Sequence, residues 1–228
     1  MCKRMDEKMI NTVIFDMDGT VLDTLEDLTD AINYVMGRFG LPVRSINECR
    51  QFVGNGIKVA LNLASDEKYP DETLNEMVGV FKEYYDVHCL DKTGPYRGIP
   101  ELINDLSENG FKVGIVSNKI DSAVKELNAK IFAENVKVAI GERANVRRKP
   151  APDTVLEAMK ELGSTKDETI YVGDSEVDIE TAKNTGIPCI SVLWGFRDRD
   201  VLENAGGKFY AEKPAEILEV IKKINSRV

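Results

Sequence analysis

The sequence has few cysteines and no long hydrophobic run, and these two deficits exclude several classes of protein. Its four cysteines lie far apart and none forms a CxxC pair, so neither a disulfide framework nor a cysteine-ligated zinc site is expected. No apolar run approaches the ~18 residues of a membrane-spanning helix. The N-terminal MCKRMDEKM lacks the apolar stretch of a signal peptide. We therefore expect a cytoplasmic protein.

An excess of basic residues is also missing. The 228 residues include 30 basic and 39 acidic side chains, a formal net charge of −9. Nucleic acids and anionic membranes both require basic surfaces, so neither is an expected partner. An anionic small substrate remains possible if local cations or a metal ion bind it. The composition, 43% hydrophobic and 30% charged, is typical of a soluble globular protein. We expect a monomer or a homodimer.

The most informative stretch is VIFDMDGT, residues 13–20. An apolar run that ends in Asp16, Asp18 and a glycine predicts a buried parallel strand whose C-terminal end opens into a loop. Ligands of open α/β sheets bind at that end. Two carboxylates this close need a cation or a proton between them. An acidic surface turn is the alternative on this stretch alone.

Helical periodicity dominates the chain from residue 24 to residue 90, without a strand pattern in between. Apolar residues recur at three- and four-residue steps from Leu25 to Phe39, and further helical patterns cover 46–53, 57–64 and about 74–90. This block is too long for a single crossover helix. We interpret residues 21–92 as a helical cap, and residues 1–20 together with 93–228 as an α/β core.

Strand and helix patterns alternate after Pro95. Strands are predicted at 111–116, 136–140, 169–172, 188–193 and near Phe209, and helices at 100–109, 121–132, 152–162, 176–185 and the C-terminus. Repeated units of this length imply right-handed crossovers in a parallel sheet covered by helices on both faces. The predicted fold class is α/β, a doubly wound, Rossmann-like parallel sheet with a small all-helical cap domain.

Polar residues follow the predicted strands. Ser117 and Asn118 follow strand 111–116, Asp174 follows strand 169–172, and Lys149 precedes helix 152–162. Each has an ordinary alternative, helix capping for Ser117 and Asp174 and a solvated surface position for Lys149. Their common placement at one edge of the sheet favours a single crevice that also contains Asp16.

These segments resemble the four signature motifs of the haloacid dehalogenase superfamily. DMDGT resembles the first motif, Ser117 the second, Lys149 the third and GDSEVD the fourth. A helical insert directly after the first motif resembles that superfamily's first type of cap. Further similarity to phosphoglycolate phosphatases lies in DTLEDLTDAIN, FVGNGIK, PYRGIPELINDL and SVLWGFRDRDVLENAGG. Arg97 departs from the proline or small residue common in the PYxG segment.

The resemblance implies a Mg²⁺-dependent phosphatase that acts on a small phosphorylated metabolite, with phosphoglycolate as the first choice. Asp16 would attack phosphorus and form an aspartyl-phosphate. Asp18 would protonate the leaving group and then accept a proton from the attacking water. Lys149 would offset the negative charge that Asp16 and the phosphate share.

The resemblance also implies the ligands. Magnesium is the expected metal because every available donor is a hard oxygen. The Asp16 carboxylate, the Asp18 carbonyl and the Asp174 carboxylate would bind it, with Asp178 in support. The expected phosphate ligands are Thr20, Ser117, Asn118 and Lys149.

Substrate selection would fall to the cap. Gly54-Asn55-Gly56 resembles the superfamily's substrate-specificity loop, so Asn55, the amide of Gly56, and Lys58 would meet a substrate carboxylate. An ordinary turn between two helices is the alternative interpretation of this segment.

Several other activities share parts of this residue pattern. Asp18 disfavours dehalogenation, because halide leaves without a proton. The same site could instead act on pyrophosphate, a nucleoside monophosphate or a sugar phosphate. A non-enzymatic receiver domain also carries a phospho-accepting aspartate and a lysine, but it has about half this length and lacks both the cap and the acid–base partner.

Overall fold

A computed structural model describes residues 9–226, which contain eight strands. In chain order the strands are β1 (Thr12–Phe15), β2 (Leu22–Asp23), β3 (Gly94–Pro95), β4 (Lys112–Ile120), β5 (Val138–Glu142), β6 (Thr169–Gly173), β7 (Cys189–Val192) and β8 (Phe209–Ala211). Six of them form one parallel sheet in the order β5-β4-β1-β6-β7-β8. The strand that carries Asp16 at its end is therefore central, as a doubly wound sheet requires.

Ten α-helices surround and extend this sheet within the described residues. They are α1 (Leu25–Arg38), α2 (Ile46–Phe52), α3 (Ile57–Ala64), α4 (Asp71–His88), α5 (Ile99–Glu108), α6 (Asp121–Ile131), α7 (Asp153–Leu162), α8 (Glu176–Thr185), α9 (Arg199–Asn204) and α10 (Glu216–Asn225). The predicted α/β fold class is confirmed. None of the helices in residues 9–226 combines the length and apolar character that a bilayer crossing needs.

Side-chain alternation along β1 separates two layers of the core. Val13 and Phe15 pack on one face of the sheet with α5, α6 and α10, while Ile14 packs on the other face with α7 and α8. Successive side chains of a strand point to opposite faces, so an all-apolar strand is buried on both sides. Such burial fixes β1 and the direction in which its C-terminal end opens.

Helices α1 to α4 pack around an apolar cluster of their own. The cluster includes Ile32, Leu61, Met77 and Phe81, and the α/β part of the chain contributes Phe196 to it. Residues 21–92 are the proposed cap. The short antiparallel pair β2–β3 lies at both ends of this block, and the sequence did not predict it because two-residue strands have no periodicity.

The end of β4 differs from its predicted boundary of 111–116. The strand continues to Ile120, and its pairing with β5 changes register between Val116 and Ile120. Ser117, Asn118 and Lys119 therefore lie in its irregular last residues and not in a loop. The short helix α9 was also not predicted.

Two expectations concern residues at the N-terminus. The lack of a signal peptide and the free thiol of Cys2 both involve residues 1–8, which lie outside the described residues. Cys49, Cys89 and Cys189 are free cysteines.

Candidate active site

Asp16 follows β1 directly and lies at the centre of the sheet's carboxyl edge. Its backbone N–H donates to the carbonyl of Val172 on β6 at 2.8 Å, which extends the strand pairing by one residue. The residue is buried, with 8% of its surface exposed. Its Oδ1 accepts from the Met17 amide at 2.7 Å and lies 2.7 Å from Lys149 Nζ. These two contacts fix the orientation of the carboxylate.

Three buried carboxylates converge at this edge. Oxygen atoms of Asp16, Asp174 and Asp178 all lie within 4.8 Å of one another. Asp174 accepts from the Thr20 hydroxyl at 3.0 Å and from the Phe196 amide at 2.7 Å. A cluster of hard oxygen donors of this kind fits a divalent cation such as Mg²⁺.

Glycines allow the chain to approach Asp174 closely. A Cβ on Gly19 or on Gly195 would overlap the Asp174 carboxylate. Gly19 also has a φ of +83°, a conformation that side-chain-bearing residues rarely adopt. The glycine of DMDGT is therefore required by its conformation and by the space beside Asp174.

The charges of this cluster do not balance without a further cation. Burial raises the pKa of Asp16 well above its ordinary value, although Lys149 opposes the shift. Burial and the neighbouring Asp178 raise the pKa of Asp174 to about 7. Three carboxylates face one lysine, so a divalent cation bound among them would favour their ionised forms.

Lys149 is the cation of this cluster. Its Nζ lies 2.8 Å from Asp178 Oδ1 and 3.1 Å from the Tyr171 hydroxyl, in addition to its contact with Asp16. Burial alone would lower the pKa of Lys149, but Asp16 and Asp178 outweigh that effect and raise it. The lysine is therefore charged, buried and aimed at Asp16.

Asp178 has donors on both of its oxygens. Oδ1 faces Lys149, while Oδ2 accepts from the Ser175 amide at 3.1 Å and from the Ser175 hydroxyl at 2.6 Å. Ser175 and Asp178 form a capping box at the start of α8. Helix capping, the alternative interpretation of Asp174, is therefore provided by Ser175 and Asp178. The same contacts hold Asp178 next to Lys149.

Ser117 and Asn118 lie beside Lys149 at the end of β4. The Ser117 hydroxyl is buried and accepts from the Lys119 amide at 3.1 Å. Asn118 Nδ2 donates to the Lys149 carbonyl at 3.1 Å, and its buried Oδ1 has no partner. Thr20 is placed differently from the expectation, because its hydroxyl is directed to Asp174 and the residue does not line the cavity described next.

A cavity of about 560 Å³ lies between this edge and the helical block. Asp16, Asp18, Ser117, Asn118 and Lys149 line it from the α/β side. Its volume is within the range of small-molecule sites, roughly 300–1,000 Å³. The edge of the sheet therefore faces a cleft that can hold a substrate.

The helical block supplies Gly54, Gly56 and Lys58 to the same cavity, whereas Asn55 is not among its lining residues. Lys58 Nζ lies 2.8 Å from the exposed Asp71, and its side chain is 35% exposed. This lysine reaches the cavity but is already paired with a surface carboxylate.

Sequence reasoning missed two contacts at this site. Lys119 Nζ lies 3.0 Å from Asp18 Oδ1 and 2.9 Å from the Tyr85 hydroxyl of α4. A lysine directly after Ser117-Asn118 at a strand end was the available signal. The partner on α4 had no signal, because Tyr85 is one of several apolar residues on a periodic face.

The second missed contact is made by Arg197. Its guanidinium is buried, pairs with Glu176 at 2.9 Å, and donates to the carbonyls of Arg50 and Val53 at 2.8 Å each. It thereby joins the segment after β7 to the end of α2. A charged RDRD segment gave no indication that one arginine would be buried.

Comparisons with known proteins identify the family of the chain. The family model described as haloacid dehalogenase-like hydrolase matches residues 13–192. Phosphoglycolate phosphatase 1 of Pseudomonas aeruginosa is 30% identical over 201 residues, which cover 85% of this chain and 73% of that protein. Pyrophosphatase PpaX of Halalkalibacterium halodurans is 31% identical over 222 residues, covering 93% and 97%.

A solved structure shows the same similarity in three dimensions. A protein from Lactobacillus delbrueckii subsp. bulgaricus, whose description gives a provisional assignment as a phosphoglycolate phosphatase, is 36% identical with a TM-score of 0.90. The match covers 93% of this chain and 98% of that one. The resemblance stated from the sequence motifs is confirmed, and so is the prediction of a phosphatase-type hydrolase.

Proposed function

The chain belongs to the haloacid dehalogenase-like hydrolases, and from that premise we propose that it is a Mg²⁺-dependent phosphatase of small phosphorylated metabolites, with phosphoglycolate favoured. One observation carries the proposal. Asp16 is buried beside Lys149 and Asp174 and faces a cavity of about 560 Å³. Phosphoryl transfer needs this combination of a nucleophile, charge neutralisation and a space for the substrate beside them.

The chemistry divides hydrolysis into two displacements at phosphorus. Asp16 attacks the phosphoryl group while the bond to the leaving oxygen breaks, and Asp18 gives its proton to that oxygen. Water then attacks the aspartyl-phosphate, and Asp18 takes the proton that the water loses. Inorganic phosphate leaves and Asp16 is regenerated. Lys149 compensates the charge on Asp16 and the phosphoryl oxygens throughout.

Mg²⁺ is the proposed metal, since the cluster offers oxygen ligands only and magnesium combines a few carboxylates with water and phosphate. When bound, it neutralises charge on the phosphoryl oxygens. Asp16, Asp174 and the Asp18 carbonyl would hold it. Asp178 supports the site mainly through Lys149, because donors already occupy both of its oxygens.

Ser117, Asn118 and Lys149 are the proposed phosphate ligands, as all three line the cavity. In Asn118 the backbone is the proposed ligand, because the side-chain amide already donates to the Lys149 carbonyl. Thr20 supports the metal site through its bond to Asp174 and is removed from the phosphate ligands. The cap residues Gly56 and Lys58 are the proposed substrate contacts on the helical side. Asn55 does not line the cavity, so its proposed contribution is to the conformation of the loop.

Phosphoglycolate is favoured as substrate because named phosphoglycolate phosphatases match most of the chain. Pyrophosphate is the second candidate, since the pyrophosphatase PpaX is equally similar and matches over a longer stretch. Nucleoside monophosphates and sugar phosphates share the same chemistry. A cytoplasmic location also stays a prediction.

A rate comparison tests the proposal. The purified protein should hydrolyse phosphoglycolate, pyrophosphate or both in Mg²⁺, and activity should disappear when the metal is chelated. Asp16→Asn should abolish turnover while the protein still unfolds cooperatively. Near-normal rates in chelator, or in the Asp16→Asn variant, would reject the proposed chemistry.

A further inference from the structure

Lys119 is a buried lysine in the wall of the cavity that the mechanism above does not use. Its side chain is 8% exposed, and its Nζ lies 4.6 Å from the centroid of the Tyr85 ring as well as 2.9 Å from the Tyr85 hydroxyl. Lys119 belongs to β4, and Tyr85 of α4 contacts its ammonium group. Such contacts keep a flexible side chain in one position.

The charge of Lys119 has a single carboxylate partner. Among residues 9–226, Asp18 alone forms an ion pair with it, at 3.0 Å. Burial raises the pKa of Tyr85 to about 12, so this hydroxyl is neutral and adds no negative charge. Lys119 is consequently a charged donor whose neutralisation depends on the same carboxylate that handles the leaving-group proton.

The position of Asp18 locates the leaving group relative to Lys119. This step rests on the proposed function, in which the leaving oxygen lies within hydrogen-bond distance of Asp18. Because Asp18 and Lys119 are in direct contact, atoms two or three bonds beyond the leaving oxygen lie close to the ammonium group. The lining of this cavity includes Phe81, Tyr85 and Ile120 beside the charged Lys82 and Asp86, and apolar surface near an ion pair strengthens charge–charge attraction.

We propose that Lys119, braced by Tyr85, selects substrates whose leaving group carries its own oxyanion near the scissile oxygen. A carboxylate on the adjacent carbon and a second phosphoryl group both have this chemistry. Lys58 is a weaker candidate for the same role, because it is more exposed and already paired with Asp71.

A matched pair of substrates isolates this contribution. Phosphoglycolate and ethyl phosphate both have two-carbon leaving groups, and only the first carries a carboxylate. The ratio of their kcat/KM values measures the discrimination. In Lys119→Met this ratio should fall roughly 10- to 100-fold. That factor corresponds to the free energy of a hydrogen bond to a charged group. Lys125→Met, an exposed lysine on α6 paired with Asp121, serves as control and should keep the wild-type ratio.

Two further measurements separate a specificity role from a structural one. Tyr85→Phe keeps the stacked ring but removes the hydroxyl that positions Lys119, so it should lower the ratio less than Lys119→Met does. Pyrophosphate, measured in parallel, identifies the oxyanion. A larger loss for phosphoglycolate assigns a carboxylate, and a larger loss for pyrophosphate assigns a second phosphoryl group.

An equal loss on ethyl phosphate and on both oxyanion-bearing substrates would overturn the inference, since it would mean a general or structural role. If Lys119→Met does not fold, the same ratio is measured in Lys119→Arg, which keeps the charge, and an unchanged ratio there together with a reduced one in Tyr85→Phe supports the assignment. If the wild-type protein hydrolyses both esters without preference, the inference is refuted and the proposed function is not. If the wild-type protein hydrolyses no phosphate compound, the proposed function is refuted.

Discussion

Asp174 shows, at the residue scale, how burial links metal binding to pH. The ordinary pKa of an aspartate is 3.8, and in the folded, metal-free protein burial raises that of Asp174 to about 7. Between these two values the folded state holds a proton that the unfolded state releases. The metal-free protein therefore loses stability as pH rises through this interval. A bound cation needs the carboxylate ionised and offsets that loss.

We expect the increase in Tm caused by Mg²⁺ to be larger at about pH 8 than at about pH 6, because protons compete with the metal at the lower pH. Thermal unfolding with and without Mg²⁺ measures this directly. Asp174→Asn is the control and should show little Mg²⁺ effect at either pH. Equal shifts at both pH values in the wild-type protein would show that Asp174 does not contribute to the metal site.

The segment 194–198, which follows β7, connects the metal site to the helical block at the scale of structural elements. The Phe196 amide donates to Asp174, and the Phe196 side chain packs in the cluster of α1 to α4. Arg197 donates to carbonyls at the end of α2, where the turn that lines the cavity begins. One short segment thus contacts both a proposed metal ligand and the proposed cap.

Arg197→Met should loosen the helical block without removing any proposed catalytic group. The carbonyls of Arg50 and Val53 would lose their donor and Glu176 its partner. Amide hydrogen exchange in residues 50–58 should accelerate roughly 10-fold or more, and KM should rise. The matched control is Arg199→Met, an exposed arginine paired with Glu203, for which neither quantity should change. Unaltered exchange in Arg197→Met would show that the contact does not hold the turn.

The elements themselves differ in how well the sequence predicts them. Helix α8 occupies the predicted residues because a capping box begins it and Gly186 ends it in a left-handed conformation. The end of β4 does not lie at its predicted residue. Its extension past Val116 depends on the pairing of Ile120 with Glu142 of β5. Local signals predict an element when they set both ends, and tertiary pairing decides the remaining cases.

At the scale of the whole molecule, the four motifs converge because parallel strands expose their carboxyl ends at one edge. That convergence brings Asp16, Lys149 and Asp174 together from positions far apart in the chain. Strand periodicity predicted the shared edge, and the roles of these residues were implied by the resemblance to the superfamily motifs. Contacts between the helical block and the sheet could not be predicted in this way. The contact of Lys119 with Tyr85 and that of Arg197 with Val53 depend on how the helical block packs on the sheet, which no local pattern encodes.

The cavity lies between these two parts of the molecule, and both of them line it. The α/β side contributes the carboxylates and Lys149, and the helical side contributes Tyr85 and the turn at Gly54 and Gly56. This division explains why the motifs indicate the reaction class more clearly than the substrate.

The most direct test of the central claim is the intact mass of Asp18→Asn after mixing with p-nitrophenyl phosphate, whose leaving group needs no proton. With Mg²⁺ the variant should gain one phosphoryl group, mapped to Asp16, because the asparagine cannot activate water to release it. Without Mg²⁺, or with Asp16→Asn added, no phosphoryl group should be found. A phosphoryl group on another residue, or none at all while the wild-type protein turns over, would contradict the proposed mechanism.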